Sequence, residues 1–171
     1  SITDGQIYLE PALFFAGVRP AINVGTSVSR VGGNAQIKAM KKIAGTLRIA
    51  MAQYRALEAF AQFGSELDRE SQKQLARGAR VVEILKQPQY RPVPVESQVV
   101  AIWVGTGGYL DALPVEDAKR FVDDFIEHLS ARTGVLDAIR DTGELSDETE
   151  VTLKQAVEDF TQAFVRSDAG E

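Results

Sequence analysis

The side chains of this chain best suited to chemistry are two arginines, a pair of serines and two glutamines, gathered in two short stretches. The first is Gly17-Val18-Arg19-Pro20-Ala21-Ile22-Asn23-Val24-Gly25-Thr26-Ser27-Val28-Ser29-Arg30-Val31-Gly32-Gly33, rich in Gly and Ser and placed just before a long helical pattern. Such a segment costs backbone order while adding little core, which marks it as a site rather than filler. Arg30 is its sharpest element. A guanidinium on a short loop can span a gap to phosphate oxygens with a fork geometry that lysine lacks. The same arginine could instead pair with an acid at a domain boundary, and the residues alone leave both readings open. The second stretch is Gln87-Pro88-Gln89.

These candidates stand partly by elimination. No Gly-x-x-x-x-Gly-Lys-Ser/Thr loop occurs, and no Gly-x-Gly-x-x-Gly follows a strand, so the chain by itself cradles no triphosphate and magnesium. The single histidine, His128, sits mid-helix beside Glu127 and reads as a surface or interface residue. The acid pairs Asp123-Asp124 and Asp147-Glu148 are adjacent on helices, point to different faces and form no dyad. Tyr54, Phe60 and Phe63 read as core or helix-packing residues. No metal site is expected.

The elements that must position the candidates fall into two textures. Residues 1–33 have strand-and-turn character, with Asp4-Gly5 as a turn signal and Pro11 opening a short helix over Ala12–Ala16 that Gly17 stops. From Asn34 onward the residues are good helix formers. Ile43, Leu47, Met51, Tyr54, Leu57 and Ala61 recur at helical spacing, predicting a helix from an Asn34 N-cap to about Phe63. Further helices are predicted over about Arg69–Lys86, Glu96–Val104 (nearly all apolar, hence buried), Val115–Thr133 behind Pro114, and Ser146 to about Val165. Gln87–Pro94, with three prolines, is an extended crossover. The expected fold is mainly α: a helical bundle over 34–171, preceded by a small α/β remnant over 1–33 that needs neighbouring strands from outside this sequence.

Composition narrows the function classes. At 171 residues with 44% apolar and 25% charged residues, the chain suits a globular domain. With no cysteine there is no disulfide framework, thiolate ligand or thiol nucleophile. No apolar run approaches the ~20 residues of a membrane-spanning helix. The net charge of −5 is unevenly spread: residues 34–94 hold eleven Lys/Arg against five acids (net +6), and residues 110–171 hold sixteen acids against six bases (net −10). The bases are interspersed with acids along helices, which describes a solvated or partner-facing surface rather than a nucleic-acid footprint. The start, Ser1-Ile2-Thr3-Asp4-Gly5-Gln6, has neither an initiator methionine nor a signal-peptide pattern and reads as mid-domain.

Several strings together resemble the alpha-subunit family of F-type ATP synthases. They are Ser1–Glu10, Arg19-Pro20-Ala21-Ile22-Asn23-Val24-Gly25, Ser27-Val28-Ser29-Arg30-Val31-Gly32, Ala59–Asp68, Gly108-Tyr109-Leu110-Asp111 and the Asp-x-Gly-x-Leu-Ser stretch Asp141–Ser146. The Ala-Gln-Phe-Gly-Ser-Glu-Leu-Asp loop points to alpha rather than beta. The resemblance covers only the carboxyl-terminal third or so of that subunit, without its phosphate loop. It implies that residues 1–33 end a P-loop-type nucleotide-binding domain and that 34–171 form the C-terminal helical domain.

The resemblance also implies roles. Arg30 matches an arginine extended into the catalytic site of a neighbouring beta subunit; Ser27 matches a position needed for activity, and Ser1 lies near the same interface. Ser27 and Ser29 would set the loop's geometry. Arg19 and Pro20 match residues around the adenine of alpha's own, unhydrolysed nucleotide, and Gln87, Pro88 and Gln89 match the loop closing over that base. A glutamine amide can donate and accept along an adenine edge. ATP or ADP with Mg is expected in the intact subunit and none with this chain alone, which is expected to be inactive. Expected partners are beta subunits in an alternating ring, the gamma central stalk (approached by Ser65–Asp68) and the delta peripheral stalk. No nucleic acid is expected, and the membrane only indirectly, through a complex on the cytoplasmic face of a bacterial cell membrane. An isolated helical interaction module and a related rotary or secretion ATPase subunit are the alternatives.

Overall fold

The computed structural model describes residues 2–63 and 66–168. Its N-terminal part holds β1 (Gly5–Gln6), α1 (Pro11–Phe15), β2 (Val28–Ser29) and α2 (Arg30–Ala35). The two strands pair antiparallel, Gly5 with Ser29 and Gln6 with Val28, and a bridge between Leu9 and Ile22 continues the pairing. Pro11 opens α1, where its missing N–H costs nothing, and Gly17 follows in the left-handed region at φ +80°.

Six helices make up the rest: α3 (Lys38–Gln62), α4 (Arg69–Leu85), α5 (Val95–Thr106), α6 (Ala118–Arg132), α7 (Val135–Thr142) and α8 (Asp147–Asp168). The apolar α5 runs through the middle, packed against α3, α4, α6 and α7. Val99, Val100 and Val104 are fully buried on it. The stripe on α3 holds for Ile43, Leu47 and Met51, while its last turns extend away from the core. Phe121, Phe125, Phe160 and Phe164 join α6 to α8, with ring centroids 5.0–6.1 Å apart. His128 is half-buried against Phe160.

Several boundaries differ from the sequence expectations. Asn34 caps nothing; it lies inside α2, which Ser29 caps, and the chain becomes extended at Gln36 and Ile37 before α3 begins. The helix expected from Val115 starts at Ala118, because residues 114–118 close tight turns from Pro114 and Val115 carbonyls. The eight residues of α7 were not anticipated. They form a helix between Gly134 and Gly143, the latter a left-handed C-cap at φ +68°. Phe60 and Phe63 are exposed rather than core. Ser146 does cap α8, its Oγ accepting from Thr149 N at 3.1 Å.

Candidate functional site

The structure gathers the candidates into two clusters. The first surrounds the junction of β2 and α2. Ser29 ends β2 and its Oγ accepts from Gly32 N at 2.9 Å, so α2 starts at Arg30. The same hydroxyl donates to Asp4 Oδ2 at 2.6 Å, and Val31 N donates to Asp4 Oδ1 at 2.8 Å. The Ser29 hydroxyl first, and the Val31 N–H after it, hold the Asp4 carboxyl below its usual range. Arg30 is thereby aimed. Its Nε donates to Asp4 O at 3.2 Å and its Nη2 to Thr3 O at 3.0 Å, yet the side chain is 66% exposed. Ser27 Oγ accepts from Tyr8 N at 3.0 Å, tying the loop to the residues after β1. Both serines thus shape the loop that presents the guanidinium. Ser1 and Ser65 lie outside the described residues.

The second cluster is an open groove of about 900 Å³. Arg19, Pro20, Gln87, Pro88 and Gln89 all line it, although some seventy residues separate the two stretches. Gln87 N donates to Arg19 O at 2.8 Å, fastening the α4–α5 connection to the N-terminal part. Gln87 Nε2 donates to Arg91 O at 2.8 Å, bracing the connection from within. The Arg19 guanidinium lies over the Phe14 ring at 4.1 Å. The chemistry of this lining (amides, a proline face, aromatic rings and cations) fits a planar heteroaromatic with an anionic tail. Arg30 and Ser27 line no part of the groove. Among the described residues no group of three or more His, Cys, Asp or Glu could hold a metal ion.

Sequence reasoning missed several residues of both clusters. Asp4 read only as a turn former, because its link to Ser29 spans 25 positions. Phe14, Lys86, Tyr90 and Lys119 also line the groove. Lys86 and Tyr90 flank the glutamines and were within reach of inspection. Lys119 comes from α6, and no local signal connects it to residue 89.

The family model described as ATP synthase alpha/beta chain, C terminal domain matches residues 36–160. The chain belongs to that family. Among curated ATP synthase relatives it is 62% identical to the protein called ATP synthase subunit alpha in Acidothermus cellulolyticus, over 98% of this chain and 30% of that protein. It is 61% identical to the subunit alpha of Frankia casuarinae and 58% identical to that of Mycobacterium marinum, each over 98% of this chain and 31% of the relative. The chain therefore spans less than a third of the length of these ATP synthase relatives. No helix among the described residues is long and apolar enough to cross a membrane.

Proposed function

We propose that this chain acts as the C-terminal part of the alpha subunit of a proton-translocating F-type ATP synthase, lending Arg30 to a catalytic site on a neighbouring beta subunit. The observation that carries this reading is the Arg30 side chain. It is steered by two backbone carbonyls and still largely exposed, in a chain whose relatives are named ATP synthase subunit alpha. Phosphoryl transfer spreads charge over equatorial oxygens, and a guanidinium supplied across an interface stabilises it. In other phosphate-transferring enzymes such an arginine is worth about 10³–10⁵-fold in rate. Ser27, Ser29 and Asp4 serve as positioning residues.

The groove is the base-binding wall of a second, non-catalytic nucleotide site with a regulatory role. Gln87 and Gln89 address the purine edge, while the phosphates and magnesium are held by parts of the subunit outside this chain. The helical bundle transmits central-stalk rotation through the end of α3. In this setting the complex sits peripherally on the membrane, on its cytoplasmic side in a bacterium.

The test is Arg30→Ala in the assembled complex. Multi-site turnover should collapse while nucleotide binding stays largely intact. Arg30→Lys should also be poor, because a point charge does not reproduce the fork. Near-normal turnover in Arg30→Ala rejects the catalytic role.

A further inference from the structure

Tyr90 violates the conformational preference of its own turn. Arg91 N donates to Pro88 O at 3.3 Å, so residues 88–91 form a tight turn with Tyr90 in third place. Its φ is +61°, the one positive value at a non-glycine among the described residues. Turns with positive φ at that place ordinarily take glycine or asparagine, since a Cβ is crowded there by the backbone. Packing does not compensate. Tyr90 is 90% exposed, so its ring rests on almost nothing of the protein.

Tyr90 nonetheless lines the groove beside Gln87 and Gln89. Pro88 stiffens the turn on one side and Pro92 restricts Arg91 on the other. The Gln87 amide spans the turn to Arg91 O at 2.8 Å. A strained backbone held this firmly, presenting a large aromatic to solvent at an open groove, marks a functional rather than a packing choice. The groove's N-terminal wall offers a second flat surface, the Arg19 guanidinium layered on Phe14. Two π-type surfaces from two parts of the chain suit a planar base rather than a phosphate.

We propose that Tyr90 is a ligand-binding residue of the groove, stacking its ring on the purine base of a bound nucleotide, and that the strained turn exists to present it. This rests on the reading of the groove as a nucleotide site. The ring, and not the hydroxyl, carries the interaction.

The test uses a subunit of the relatives' length that carries this chain as its C-terminal part, titrated calorimetrically with ATP and, separately, with tripolyphosphate. Tyr90→Ala should weaken ATP binding on the order of tenfold or more, as loss of a base–aromatic stack does. Tyr90→Phe should stay within twofold of wild type, and tripolyphosphate should not distinguish any of them. Tyr90→Gly suits φ +61° and should unfold at the wild-type temperature or above, while binding ATP as poorly as Tyr90→Ala. That variant separates loss of the ring from loss of the fold. ATP affinity within twofold of wild type in both Tyr90→Ala and Tyr90→Gly overturns the proposal, and impaired subunit assembly alongside it would make the ring a protein contact. Gln87→Ala and Gln89→Ala distinguish the two levels. If they weaken ATP binding and the tyrosine variants do not, only the stacking role falls. If none of the four matters, or wild type binds no ATP, the groove is not the site and both readings fall.

Discussion

The Ser29 hydroxyl serves two neighbours at once, accepting from Gly32 N and donating to Asp4. The first bond starts α2 and the second, with Val31 N, clamps that start to the chain before β1, where the Thr3 and Asp4 carbonyls receive Arg30. Ser29→Ala should cost about 1 kcal/mol of stability, the usual worth of an N-cap, read by urea unfolding. Ser29→Asp is the informative companion. Aspartate is normally as good a cap, but here it sets a second carboxylate against Asp4, so the lost stability should not return. Recovery to wild type would mean that the Asp4 contact does not matter. At this scale the sequence was legible where residues are neighbours. Arg30, Ser27 and Ser29 stand out in a short string, whereas Asp4 is distant and looks like any turn aspartate.

Helix packing shows where composition suffices and where it does not. The apolar run of α5 announces its own burial, and the stripe on α3 names Ile43, Leu47 and Met51 as core. The start of α3 falls later than Asn34, a good cap by type, because Ser29 already caps a separate short helix through that residue and the backbone turns extended at Gln36 and Ile37 before α3 begins. The short α7 escaped because eight residues between two glycines carry too little periodicity to outweigh the breakers. Closeness between α3 and α4 depends on Gly78: a Cβ there would sit 2.6 Å from both Cβ and Cγ of Tyr54. These atoms are at the root of a ring and cannot swing aside. Gly78→Ala should therefore destabilise by about 1–3 kcal/mol, measured by thermal unfolding, with Tyr54 displaced. Tyr54 itself is pushed up to about 12 by burial and by the nearby Glu58 carboxylate to which it donates, so it stays protonated at working pH.

Across the whole molecule, acid should loosen the fold through a few dispersed carboxylates. Asp4 and Asp68 are held low by N–H and hydroxyl donors, and Glu144 by Lys38. Burial works to raise Glu96, but its own backbone N–H and the Arg140 guanidinium outweigh that and keep it low. Each folded-state value lies below its unfolded value, so each contributes fully above about pH 4.3 and loses that contribution as pH falls through the folded value. Denaturant midpoints should be flat from neutral to about pH 5 and drop below pH 4. A midpoint unchanged at pH 3 would show these contacts to be inconsequential. The mainly helical architecture was readable in the sequence; the two walls of the groove were joined there only through the family resemblance, because they are far apart in sequence and meet only after folding. Their meeting has a mechanical corollary. Between residues 2 and 35 only Leu13 is buried, so that stretch leans on the bundle with little mass of its own. Any guest lodged between Phe14 and Gln89 acts as mortar, and at a hundred times its dissociation constant it adds about 2.7 kcal/mol to the joint. Cargo and keystone are then the same molecule, and emptying the trough should make the leading arm easier to prise from the bundle.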